Sequence, residues 1–234
     1  MKRFYRSVTL GEKAESGYPL LLDDKPVCTP DKKSFLIPSE SLADLVVQEW
    51  EEQGDEICPT NMPVSQMAMT LIDRVTTNRS SLTAEILDYI DTDLICYRAD
   101  EPEEYRNAQA ECWDPFIAWV RNHFQLDLKI TYGLSPLIQD PDIHKTIADY
   151  VSGLSDSGFM SVYLATIGTG SIILGLAFQM NAFDNTEILK AAFAEEWAKD
   201  KIYLADQYGT APDQEKKYRS LEHDLNTLVY FRNV

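Results

Sequence analysis

The sequence has little with which to hold a metal, a nucleotide or a polyanion. Only three histidines occur in its 234 residues, His123, His144 and His223, and none sits in an HExxH pattern, so the commonest helical signature of catalytic zinc is missing. The four cysteines, Cys28, Cys58, Cys96 and Cys112, include no CxxC pair. Structural zinc and thioredoxin-like redox chemistry both need closely spaced thiols, so free thiols in a reducing compartment are the expectation. No GxSxG elbow is present, which removes the usual serine-nucleophile turn. Gly168-Thr169-Gly170 with Gly175 comes nearest to a phosphate loop, but the third glycine is displaced from GxGxxG and no Lys-Ser/Thr pair follows. No cofactor and no metal are expected.

Positive charge is also scarce. Lys and Arg number 21 against 38 Asp and Glu, a formal net charge of −17. That field opposes nucleic acid and anionic lipid surfaces and favours a partner with basic or apolar surface. A long charge-free run does exist, from Ser157 to Phe183, and such a length is a candidate for crossing a membrane. The Gly168-Thr169-Gly170-Ser171 interruption and the absence of basic flanks argue instead for two buried helices meeting at a turn, with Ser171 as an N-cap. The start, MKRFYRSVTL, lacks the apolar run of a secretory signal and reads as mature sequence.

What the chain does have is two kinds of periodicity. Over its first 38 residues, short apolar runs (Phe4, Val8 and Leu10, then Tyr18 to Leu22, then Phe35 to Ile37) are separated by turn signals such as Asp23-Asp24-Lys25-Pro26, predicting an antiparallel meander. The period then becomes helical. Ser39 can cap a helix with Leu42, Leu45, Val46 and Trp50 on one face. Val64, Met67, Ala68, Leu71, Ile72 and Val75 make the clearest helical stripe. Pro115 predicts a break or kink in a helix beginning near Glu101-Pro102. Leu126 to Tyr132 reads as a lone strand, and later stripes run through Ile143, Ile147, Tyr150, Val151 and Leu154, then through Tyr218, Leu221, Leu225 and Leu228. The expected fold is α+β, with a β-rich domain carrying one helix over 1–60 and a helical domain over 61–234.

One motif invites a chemical reading. In Thr92-Asp93-Leu94-Ile95-Cys96-Tyr97-Arg98-Ala99 an acid and an arginine flank an apolar run. With Asp73 they could line a small-molecule cleft. Alternatively Asp93 and Arg98 form a buried clasp of parallel charge-assisted bonds, with Tyr97 adding a hydroxyl and Asp73, Trp113 and Asp114 bracing the same scaffold. Burial within the apolar run would suppress the reactivity of Cys96. The clasp is the preferred reading.

Several stretches, taken in order, carry a resemblance. They are Lys2-Arg3-Phe4-Tyr5, Leu22-Asp23-Asp24-Lys25-Pro26-Val27, Thr29-Pro30, Ile37-Pro38 ahead of Glu49-Trp50, Met62-Pro63, Ile72-Asp73-Arg74-Val75, the TDLICYRA motif itself, and Gln109 followed by Trp113-Asp114-Pro115. Together they resemble the assembly chaperones for the α subunit of the F-type ATP synthase, found in mitochondria and alphaproteobacteria. The resemblance implies no catalysis. It implies instead a monomeric protein of the bacterial cytoplasm, or of the mitochondrial matrix, that shields the unassembled α subunit until it pairs with the β subunit. It implies the same β-rich and helical domains. In this family an acidic residue, Gln and Trp-Gly recur near the C-terminal end. Here Asp200 takes the acidic place, Leu204 and Tyr208 replace Gln and Trp ahead of Gly209, and Glu196 competes for the acidic role. Phe4, Tyr5, Glu196 and Asp200 are the expected partner-binding residues, with the N-terminal aromatic pair half exposed and Trp113 inside. A general holdase without a dedicated client remains the alternative, beside the small-molecule enzyme.

Overall fold

The computed structural model describes residues 1–133, 135–202 and 212–234. Contacts divide the chain into two compact units, one of Met1–Arg79, Ser155–Met160 and Thr227–Val234, the other of Ser80–Leu154 and Ser161–Asn226. Residue 60, expected as the boundary, falls inside the first unit.

In the first unit, β1 (Val8–Leu10), β2 (Tyr18–Leu22), β3 (Lys25–Pro26) and β4 (Leu36–Ile37) form an antiparallel sheet. β2 is central. It pairs with β1 along Leu20–Leu22, with β3 at Leu21 and Leu22, and with β4 at Tyr18 and Pro19. The β2–β3 turn is tight because Asp23 and Asp24 both hold positive φ, 47° and 63°, the signature of a type I′ hairpin. Asp23 also uses its carboxylate to collect the Arg6 and Ser7 amides, each at 2.9 Å, and these donors lower its pKa. Helix α1 (Glu40–Glu51) begins where predicted, with Ser39 accepting from the Leu42 amide. Its Leu42, Ala43 and Val46 are buried, as are Leu20, Phe35 and Ile37.

The stripe beginning at Val64 is only partly a regular α-helix. α2 (Pro63–Thr70) widens into a π-turn at Leu71–Val75 before α3 (Thr76–Leu87). A π-turn reorients carbonyls, and here Lys33 Nζ donates to the Ile72 and Asp73 carbonyls at 3.1 and 3.3 Å.

The second unit is mostly helical. It holds the parallel pair β5 (Tyr97–Arg98) and β6 (Thr131–Tyr132); the longer strand expected from Leu126 contributes only these last two residues. α4 (Glu103–Phe124) runs unbroken through Pro115, correcting the predicted break. The missing proline N–H forfeits one bond to the Glu111 carbonyl, and burial of Trp113, Phe116, Ile117 and Val120 keeps both halves on one core. α5 (Pro141–Ser152) buries Ile143, Ile147 and Val151.

The uncharged run forms two helices, as expected: α6 (Asp156–Thr169) and α7 (Ile172–Gln179). Gly170, at φ 74°, turns the chain, and Ser171 caps α7 by accepting from the Leu174 amide at 3.0 Å. Every residue of α7 is buried, which explains apolarity on all its faces. Gly175 is required there, since a Cβ would stand 2.3 Å from Thr166 Oγ1 and 2.9 Å from the Val162 carbonyl oxygen. α8 (Asn185–Ala192), α9 (Ala194–Ile202) and α10 (Pro212–Leu228) complete the described helices. The fold is thus α+β, a small antiparallel sheet followed by a mostly helical region. Among the described residues no helix is long and apolar enough to cross a membrane.

Candidate functional site

The second unit carries an open acidic surface built on α9. Ala194 and Ala198 are buried, so small residues anchor the inner face of the helix, which packs along α4. Glu195, Glu196, Trp197 and Asp200 are left on its more open sides, and Trp197 is 38% exposed. The buried Gln109 of α4 fixes the register. Its Oε1 accepts from the Ala99 amide and its Nε2 donates to Glu195, both at 2.8 Å. Burial first, then the adjacent Glu195, push the Tyr105 phenol up.

Two hollows meet at Phe193. The larger, about 400 Å³, is lined by Leu94, Gly168, Phe193, Glu195, Glu196 and Asp224 among others. A Cβ on Gly168 would stand 2.6 Å from Leu221 Cδ1, so a larger residue there would have to displace the leucine's end. Burial raises the Asp224 pKa, tempered by His223. The smaller hollow, about 180 Å³, is lined by Phe193, Trp197, Asp200, Gln214, Glu215 and Tyr218. Its three rings are in mutual contact, with centroids 6.4 Å (Phe193–Trp197), 5.3 Å (Phe193–Tyr218) and 5.9 Å (Trp197–Tyr218) apart. Asp200 Oδ2 accepts from Gln214 at 2.8 Å. Glu196 and Asp200, one turn apart on α9, therefore line adjoining hollows. Leu204, Tyr208 and Gly209 lie outside the described residues.

The first unit has a separate hollow of about 390 Å³, lined by Met1, Phe4, Tyr5, Trp50 and Met69 among others. Phe4 is 62% exposed on its rim. Tyr5 is not half exposed as expected but buried, because its hydroxyl donates to the Trp50 carbonyl at 2.6 Å and its ring packs against Trp50.

The TDLICYRA motif is a brace of a different design from the one expected. Asp93 and Arg98 do not form the clasp. Asp93, 1% exposed, instead receives the Ile95 and Ile173 amides, each at 3.1 Å, and the Ser171 hydroxyl. It thereby ties the start of α7 to its own loop. Burial raises its pKa to about 6 despite these donors. Arg98 pairs with Asp114 at 2.6 Å, its side chain 5% exposed against 60% for the aspartate, while its Nε and Nη2 have no hydrogen-bond partner among the described residues. Tyr97 donates to the Asp91 carbonyl at 2.7 Å and accepts from the Leu137 amide at 3.0 Å. Trp113 is fully buried and donates to the Ala191 carbonyl at 2.8 Å. Asp73 takes its partners within the first unit, Thr29 Oγ1 at 2.6 Å and the Asp31 amide at 3.1 Å. A convergent Asp73, Asp93, Tyr97, Arg98 cleft is therefore not supported, since each has its own separate partners. Burial and Asp93 push the Cys96 thiol up, away from the reactive thiolate. Among the described residues no three of His, Cys, Asp and Glu are grouped to hold a metal ion.

Sequence reasoning missed the aromatic trio. The i, i+4 spacing of Phe193 and Trp197 is the one local signal of it. The ring of Tyr218 could be placed only on a helical stripe.

Comparison with known proteins gives the chain a family. The pattern of the ATP12 chaperone protein family matches residues 2–121. The crystal structure of Atp12 from Paracoccus denitrificans superposes with a TM-score of 0.88 at 32% identity, over 99% of this chain and 97% of that one. An aspartate-to-lysine variant of the Paracoccus denitrificans protein gives 0.89 at 32% identity, over 99% and 96%. Atu1473 from Agrobacterium tumefaciens gives 0.86 at 30% identity, over 99% and 85%. With the match reaching both units and the sequence pattern covering half the chain, the protein belongs to the ATP12 chaperone family.

Proposed function

We propose that this chain binds the unassembled α subunit of the F-type ATP synthase and shields its surface until the β subunit replaces it. The observation that carries the reading is the structural match to Atp12 of Paracoccus denitrificans across 99% of the chain, joined to an open surface in which carboxylates lie beside aromatic rings. Such a surface suits a folded protein client, because aromatic anchors supply contact area while a charged rim sets orientation. The chain acts as a monomer without catalysis, nucleic acid or membrane insertion. It works where α subunits await assembly, in a bacterial cytoplasm or a mitochondrial matrix. Its net charge of −17 disfavours self-association and favours a client with basic surface.

The test is co-expression with the α subunit of its own organism, followed by size-exclusion chromatography and addition of the β subunit. A stoichiometric complex with α that dissolves when β is added is the expected result. Equal capture of unrelated denatured proteins would identify a general holdase and refute the proposal.

A further inference from the structure

We infer that the hollow beside Phe4, in the first unit, seats a large apolar side chain of the protein client that has a carboxylate next to it. The inference rests on the reading that this chain binds a protein, but it concerns a surface remote in sequence from α9. Three of the stretches that carry the family resemblance, Lys2–Tyr5, Leu22–Val27 and Glu49-Trp50, each contribute to the lining of its 390 Å³ or so. Tyr5, Leu22 and Trp50 are buried beneath it, while Met1 and Phe4 stand 73% and 62% exposed at its edge. Core packing accounts for the buried members of those stretches and not for Phe4. The backbone that presents Phe4 is held before and after the ring. The Met1 carbonyl accepts from the Ile57 amide at 2.6 Å and the Arg3 amide donates to the Asp55 carbonyl at 2.9 Å; the Tyr5 hydroxyl then ties the next residue to the Trp50 carbonyl. An apolar ring on a fixed backbone loses little freedom on docking, and the half-buried Met69 in the lining adapts to what enters.

Charge selects the second half of the occupant. Lys25 is exposed, lines the hollow and makes no ion pair among the described residues. Asp23, the one acid in the lining, is already answered within the unit. Its Oδ1 accepts from the Arg6 and Ser7 amides, each at 2.9 Å, and from the Ser7 hydroxyl at 3.1 Å. A client carboxylate beside the seated side chain therefore meets an unpaired ammonium, in a chain whose net charge of −17 disfavours acidic partners in general. A basic neighbour would face Lys25 with like charge. A wholly polar segment would leave the apolar surface uncovered.

Phe4 and Lys25 are both exposed, so replacing them leaves the core intact. Affinity of the full chain for the purified α subunit is measured for wild type, Phe4→Ala, Lys25→Arg and Lys25→Glu, with circular dichroism and size-exclusion chromatography of each. Phe4→Ala should bind roughly tenfold more weakly through lost apolar contact. Lys25→Glu should weaken binding by a similar factor, roughly tenfold, whereas Lys25→Arg should bind as wild type. Wild-type affinity for Phe4→Ala or for Lys25→Glu overturns the inference while leaving α-subunit binding intact. A wild-type dimer that Phe4→Ala converts to a monomer also overturns it, because the occupant would then be a second copy of this chain. Failure of wild type to bind α at all removes the parent reading. In that case anilinonaphthalene sulfonate, an apolar anion, serves as the probe of the hollow. Fluorescence enhanced by folded wild type and by Lys25→Arg, but lost in Phe4→Ala and Lys25→Glu, sustains a seat for an apolar group joined to an anion; equal or no enhancement in all four rejects it.

Discussion

Replacing Asp93 by asparagine removes a buried charge but keeps its shape, so the result separates two opposing forces. The carboxylate receives the Ile95 and Ile173 amides and the Ser171 hydroxyl, and is 1% exposed. Those donors favour the ionised form, whereas burial disfavours it. The balance lies with burial, which raises the pKa from 3.8 to about 6. Because the folded-state value lies above the unfolded one, the folded protein takes up a proton between about pH 4 and 6 that the unfolded chain does not. The contribution of Asp93 to stability is therefore greatest near pH 4 and is lost as pH rises through 6. The gap between the two values corresponds to about 3 kcal/mol. Asparagine does not titrate, and its amide group faces donors it cannot satisfy, at about 1–3 kcal/mol for each buried N–H left unmet. Asp93→Asn should thus cost about 2 kcal/mol at pH 7, and about 2–3 kcal/mol more near pH 4. Urea unfolding followed by far-ultraviolet circular dichroism at a series of pH values measures both figures. A penalty that shrinks on acidification would refute the reasoning, because it would mean that the donors outweigh burial.

Other expectations follow from single contacts. Asp114→Ala strands the buried Arg98 cation and should cost about 3 kcal/mol, while Arg98→Met, which removes the charge and keeps the volume, should stay within about 1 kcal/mol of wild type in the same urea assay. Gly175→Ala forces a methyl against Thr166 Oγ1 and the Val162 carbonyl; a loss of about 3 kcal/mol is expected in thermal melts, partly recovered by adding Thr166→Ala. Tyr5→Phe removes the bond to the Trp50 carbonyl and should cost about 1 kcal/mol. With Ellman's reagent, the exposed Cys28 and Cys58 should react at once, whereas the buried Cys96 should react only after unfolding.

The parts of the fold that were legible in the sequence are those decided by neighbours along the chain. Ser39 and Ser171 cap helices because a hydroxyl followed by helical spacing meets a free amide within one turn. Asp23-Asp24 turns a hairpin for a similarly local reason. What was not legible depends on partners remote in sequence. Arg98 could reach an acid either five residues back or sixteen ahead, and only the packing of α4 against its loop selects Asp114. Pro115 signals a break locally, yet the burial of Trp113 and Phe116 overrides it. Tyr5 becomes core because Trp50 offers its carbonyl from across the sheet and helix. The acids of the candidate site were visible as residues, but the rings beside them acquired meaning only when α10 brought Tyr218 to Phe193 and Trp197.

The make-up of the first unit has a consequence for synthesis. Besides Met1–Arg79 it includes Ser155–Met160 and Thr227–Val234, and Phe231 in the last of these is fully buried. On a ribosome the sheet and α1 emerge early, but Thr227–Val234 of the same unit are translated only after Ser80–Leu154 and Ser161–Asn226. The amino-terminal region of a nascent chain therefore waits, incompletely closed, until the second unit has been synthesised.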